Sequence, residues 1–167
     1  QIPGPKVVSA DDERNRRVAA RHGARTYGLA ADADVRATDL VADRGSFRFA
    51  IVSDGVEVAR VRLPLRGEHN VANATGAFAM ALAIGVEPEI AARALAKFGG
   101  VARRFDVRGT DGGATFVDDY AHIPTEIDAA LRAARDSGDD WQRIVAVFQP
   151  NRYNRMALMW REYADCF

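Results

Sequence analysis

The side chains best suited to chemistry stand together in Asp118-Asp119-Tyr120-Ala121-His122-Ile123-Pro124-Thr125-Glu126, where two carboxylates, a phenol and an imidazole follow an apolar run. Thr115, Phe116 and Val117 read as the end of a buried strand, because β-branched and aromatic residues suit a pleated ribbon. Pro124 then opens a helix, since its fixed φ and missing N–H fit the first helical position, and Glu126 adds negative charge to the first turn. The cluster is therefore expected at the carboxyl end of a strand, where open α/β sheets bind ligands. An Asp-Asp pair after a strand also suits a solvated turn, so position alone leaves both readings open.

The elements that must hold this cluster can be followed from the start of the chain. Lys6 to Ala10 reads as a short strand, Asp11-Asp12-Glu13 begin a helix through about Arg21, and Gly23 ends it before a second strand at Arg25 to Leu29. This is a β-α-β-like unit, whose parallel strands need a crossover helix. From Val35 to Leu65 the apolar period becomes two, and Asp54-Gly55 supplies the tight turn of an antiparallel hairpin. A helix follows with Val71, Ala74, Phe78 and Leu82 on one face, closed by Gly85. A second runs from Pro88 to Phe98 with Ile90, Ala91, Ala94 and Leu95 facing inward, before Gly99-Gly100 breaks the chain.

A domain boundary is expected near residue 100, dividing the chain into 1–100 and 101–167. Beyond it, strands at Phe105 to Arg108 and Ala114 to Val117 precede the helix at Pro124. Ile144 to Phe148 then reads as a continuous apolar strand of a parallel sheet buried on both faces. A last helix ends at Phe167. The fold class is α/β.

Composition narrows the function. The 167 residues carry equal numbers of acidic and basic side chains, for a formal net charge of zero, which argues against bulk electrostatic capture of nucleic acid or a membrane surface. Cys166 is the only cysteine, so there is no disulfide framework and no thiolate metal cluster, and a reducing, cytoplasmic setting is expected. No run approaches the ~18 apolar residues of a membrane-spanning helix. The chain opens on Gln1 rather than Met and is expected to be an excerpt of something longer.

Four motifs fall in order along the chain: Gly67-Glu68-His69-Asn70-Val71-Ala72-Asn73-Ala74, then Gly100-Val101-Ala102-Arg103-Arg104-Phe105, then Asp118 to Glu126, then Phe148-Gln149-Pro150-Asn151-Arg152-Tyr153-Asn154-Arg155. Each alone is weak, but together they are specific. From about Lys6 to Phe167 the chain resembles the Mur ligases of peptidoglycan synthesis, most of all the branch that joins L-alanine to UDP-N-acetylmuramate with ATP. The resemblance implies the end of a central ATPase domain followed by the start of a Rossmann-like C-terminal domain. It also implies ATP and magnesium as cofactors, with the phosphate-binding glycine loop, the metal ligands and a UDP-binding domain upstream. No Gly-x-x-x-x-Gly-Lys-[Ser/Thr] occurs in the chain.

By the same resemblance Asn70 and Asn73 match asparagines at the adenine, and an Asn amide can offer both a donor and an acceptor to a base edge. Asn is also favoured near helix starts, which is the simpler account of both. Arg104 matches the arginine that reaches the ATP phosphates, and Asp119 the carboxylate that binds the ribose. Arg103 reads instead as a solvated surface residue. Tyr120, His122, Arg152 and Arg155 match positions around the muramoyl and amino-acid substrates, with Arg104 and His122 expected to serve catalysis. Arg152 and Arg155 are three apart and would present two cations to one carboxylate if that turn is helical.

The chain departs from the family at Ile123 and Asn151, where histidines are usual, and at Asn154 and Met156, where threonines are common. These changes fall on the substrate side. A related ligase that attaches recycled murein peptide to the same nucleotide sugar, or a binding module without catalysis, are the alternative readings.

Overall fold

The computed structural model describes residues 3–136 and 141–167. Its main sheet has the order β1 (Val7–Ser9), β2 (Arg25–Gly28), β3 (Val35–Asp43), β4 (Ser46–Ser53) and β5 (Val56–Leu63). Strands β1, β2 and β3 run parallel, while β3, β4 and β5 are antiparallel, so the sheet is mixed. The crossover between β1 and β2 is α1 (Glu13–His22), begun by the Asp12 carboxylate, which accepts from the N–H groups of Arg14 and Asn15. Gly23 closes it at φ 59°.

Two tight turns make the antiparallel half. Asp54-Gly55 has φ of 51° and 85°, as the expected hairpin requires, and Arg44-Gly45 makes a second such turn at 33° and 83°. The region expected as one hairpin is thus three strands. Inside the sheet Val35, Ile51 and Leu63 are fully buried against Val71 and Phe78 of α2 (Glu68–Ala83). The following helix α3 (Pro88–Ala96) turns Ala91, Ala92 and Leu95 to this core, whereas Ile90 is 50% exposed and Ala94 faces outward. The inward face is thus rotated from the one expected.

Beyond residue 100 the strands β6 (Asp106–Asp111) and β7 (Ala114–Asp118) form a two-stranded ribbon of their own, turned by Gly112-Gly113. Helices α4 (Pro124–Arg135) and α5 (Tyr153–Ala164) follow. Tyr163 is buried and donates its hydroxyl to the carbonyl of His122 at 2.7 Å, and Phe148 stacks on its ring. Two expectations fail in this part. Phe116 and Val117 are exposed rather than buried, and Ile144 to Phe148 forms no strand, with Val147 97% exposed. A strand exists only through pairing, and among the described residues none pairs with this run; the fold class is nonetheless α/β as expected, with a mixed sheet whose β1–β2–β3 half is parallel.

Candidate functional site

A pocket of about 630 Å³ lies where the first turns of α2 meet the 100–105 loop, Asp119 and the first turns of α4. That volume lies within the usual range for small-molecule sites. Gly67 sets the α2 wall. Its φ of 82° is left-handed, and a Cβ there would fall 2.6 Å from the His69 ring and 3.0 Å from Ala133 of α4, so only glycine lets these parts approach. Asn70, one turn in, donates its Nδ2 to the carbonyl of Arg66 at 2.8 Å, which commits one amide hydrogen to the chain and keeps Oδ1 as an acceptor. Asn73, on the same helical face, is exposed in the pocket.

The opposite wall is a strained loop. Gly100, Arg103 and Phe105 all have positive φ, at 88°, 60° and 47°. Two of the three carry a side chain, a conformation that persists only where surroundings impose it. Asp119 is the chief restraint: Oδ2 accepts from Phe105 N–H at 2.8 Å and Oδ1 from Ala121 N–H at 2.7 Å. Tyr120 N–H donates to the Arg103 carbonyl and Arg103 N–H to Asp106 Oδ2, closing the loop on β6.

The two arginines of this loop have different surroundings. Arg104 lines the pocket and pairs with Glu126 at 3.5 Å. Arg103 lies over the Tyr120 ring, 4.8 Å from its centroid, and reaches Asp118 at 3.4 Å.

Charge in the pocket is balanced by contact. Burial pushes the Glu126 carboxyl up, but the hydrogen bond from His122 N–H and the charges of His122 and Arg104 bring it below its ordinary value. It therefore stays ionised at neutral pH and holds the Arg104 guanidinium on one oxygen and the His122 ring, at 3.2 Å, on the other. His69 keeps an edge open to solvent, yet crowding by the pocket walls, opposed by the Asp119 charge and aided by Arg104, pulls its pKa below the ordinary 6.5. A neutral imidazole adds no charge beside the asparagines, and the Asp119 carboxylate and the Arg104 guanidinium both lie close enough to act on it.

Of the residues singled out from sequence, Asn70, Asn73, Arg104 and Asp119 all line this pocket. Tyr120 and His122 sit beside it with rings 5.2 Å apart, linked to it through Arg104 and Glu126. Arg152 and Arg155 are not among its lining residues. Arg152 is the exposed N-cap of α5 at φ 71°, its carbonyl accepting from the Arg155 N–H, and Arg155 is half-buried with an Nη1 that has no hydrogen-bond partner among the described residues. His69 and Glu126 were not singled out. Each lies in a motif, and Glu126 three residues after a helix N-cap is a known signal for a side chain that folds back on the backbone. Among the described residues no three of His, Cys, Asp or Glu converge as metal ligands.

Residues 1–81 match the Mur ligase middle domain, and residues 103–167 match the domain described as Mur ligase, glutamate ligase domain. The chain is 43% identical over 148 residues to the UDP-N-acetylmuramate–L-alanine ligase of Bradyrhizobium sp., covering 85% of this chain and 31% of that protein. The enzyme of the same name from Clavibacter sepedonicus is 44% identical over 163 residues, 96% of this chain and 34% of its own. Among solved structures, the UDP-N-acetylmuramate-alanine ligase MurC of Thermotoga maritima superposes with a TM-score of 0.75 at 28% identity, covering 92% of this chain and 35% of that one. The chain thus spans about a third of the length of the curated relatives it matches.

Proposed function

Because the chain belongs to the Mur ligase family, we propose that it supplies part of a cytoplasmic ATP-dependent ligase joining L-alanine to UDP-N-acetylmuramate, and that the pocket described above takes the ATP. Its residues 1–100 are read as the end of the ATPase domain and 101–167 as the start of the next. One observation supports the nucleotide reading most: Asn70, Asn73, Arg104 and Asp119, distant in sequence, line a single pocket. Asn70 Oδ1 can accept from an exocyclic amine of the base. Each Asp119 oxygen keeps a lone pair for a ribose hydroxyl after accepting its backbone N–H. Arg104 offers the planar fork that suits a phosphate, released to it from Glu126.

In this reading the substrate carboxylate attacks the γ-phosphorus of ATP and ADP leaves. The amine of alanine then adds to the acyl phosphate carbonyl, loses a proton, and expels inorganic phosphate as the amide forms. The chain contributes by holding the reactants and stabilising charge rather than by supplying a nucleophile. Tyr120, His122, Arg152 and Arg155 are assigned to the muramoyl and amino-acid substrates, with Arg104 and His122 closest to the chemistry. Magnesium would neutralise phosphate charge when bound, but the described residues offer it no ligand set, and none of these steps is assigned to a metal.

Phosphate release by the ligase containing this chain, measured with UDP-N-acetylmuramate and ATP plus either L-alanine or a murein tripeptide, tests the proposal. Release should depend on L-alanine. Dependence on the tripeptide instead would favour the recycling ligase, and no release with either would favour a module without catalysis.

A further inference from the structure

Arg66 has no part in the roles above, yet it touches both walls of the pocket. It lies in the short connection between β5 and α2, and its carbonyl is the acceptor that orients the Asn70 amide. Its guanidinium carbon is 5.5 Å from the centroid of the Phe105 ring and 5.3 Å from that of Trp141. Nη2 also passes over the β3–β4 turn, so that a Cβ on Gly45 would sit 3.0 Å away. Phe105 is the left-handed residue that follows Arg104, so whatever fixes its ring helps fix where Arg104 points. A flat guanidinium can lie against two aromatic rings at once while it keeps its charge, which neither an aliphatic side chain nor a compact ammonium does as well.

We propose that Arg66 is a positioning residue of the nucleotide pocket: clasped by Phe105 and Trp141, it ties the acceptor that orients Asn70 to the loop that presents Arg104. The inference rests on the nucleotide reading above and deepens it. Asn70 on α2 and Arg104 on the 100–105 loop both line the pocket, so a side chain tying them together sets the spacing between the base and phosphate contacts. Packing alone would make Arg66 matter to folding. Positioning makes it matter to ATP in particular.

The test uses the ligase containing this chain with Arg66→Ala, Arg66→Lys and Trp141→Leu, each assayed for KM of ATP, KM of the amino acid and Tm. Loss of both ring contacts should raise KM for ATP roughly 5- to 30-fold in Arg66→Ala, with KM for the amino acid unchanged. Trp141→Leu, which leaves Arg66 and one ring in place, should give roughly a 2- to 5-fold rise and decides the matter if Arg66→Ala does not fold. Arg66→Lys should fall between Arg66→Ala and wild type. A lowered Tm with KM for ATP unchanged, or equal rises in both KM values, would overturn the proposal. A wild-type ligase that makes no use of ATP would instead overturn the nucleotide reading on which it rests.

Discussion

Replacing Asp119 by asparagine probes the latch that holds the arginine loop. The carboxylate accepts from Phe105 N–H at 2.8 Å and Ala121 N–H at 2.7 Å through different oxygens. An asparagine keeps one oxygen and turns an amide –NH₂ toward the other N–H, so one bond is lost and two donors face each other. A hydrogen bond to a charged group contributes about 1.5 to 3 kcal/mol. The left-handed Phe105 costs about 1 to 3 kcal/mol to maintain. Latch and strain are of the same order, so losing one bond is enough to let the loop open locally. Amide hydrogen exchange reads this directly: at Phe105 or Ala121 the rate should rise roughly 10- to 150-fold, while Val71, buried in the core, should not change. If both amides exchange within about twofold of wild type, Asp119 does not restrain the loop and the geometric argument fails.

Two further outcomes are expected. Gly76→Ala in α2 would place a Cβ 2.6 Å from two atoms of the Tyr27 ring, so overpacking should exceed the helix-propensity gain of about 1 kcal/mol and lower Tm by roughly 2 to 8 °C, measurable by calorimetry. An unchanged or raised Tm would mean the ring gives way freely. Asp34 is held below the ordinary 3.8 first by the Thr26 N–H, against some desolvation, and then by the Thr26 hydroxyl and the Arg25 charge. Its carboxyl binds protons less readily in the fold than in the unfolded chain. Its stabilisation is therefore complete above about pH 3.8 and lost as pH falls through the lower folded value. Urea unfolding across pH 2 to 6 should show a shallower acid loss in Asp34→Asn, and identical slopes would contradict the linkage.

Local chemistry made much of the fold legible. Asp12 and Gly23 mark the ends of α1, Asp54-Gly55 marks its hairpin, and Pro124 marks the start of α4, because each signal acts within a few residues. Signals that depend on distant partners did not carry. Ile144 to Phe148 has the composition of a buried strand, but composition supplies no pairing edge, and among the described residues none pairs with it. The face of α3 was misread because Ile90 and Ala94 are as apolar as Ala91 and Ala92, and only the position of β5 decides between them. That Asn70, Asn73, Arg104 and Asp119 would come together at one pocket was legible from their motifs. The left-handed Arg103 and Phe105 were not, since neither is a residue whose type announces a positive φ. Nor was the bridge from Glu126 to Arg104, which joins two motifs that give no hint of one another.

The central claim is that the pocket between α2 and the 100–105 loop takes an adenine nucleotide, and side-chain NMR of the chain with adenosine, ADP and GDP tests it most directly. Adenosine should shift the Asn70 and Asn73 side-chain amides, ADP should add a shift at the Arg104 guanidinium, and GDP should move the asparagines less, because guanine presents a carbonyl where adenine presents an amine. Shifts confined to other parts of the chain, or equal responses to ADP and GDP at Asn70 and Asn73, would contradict the account.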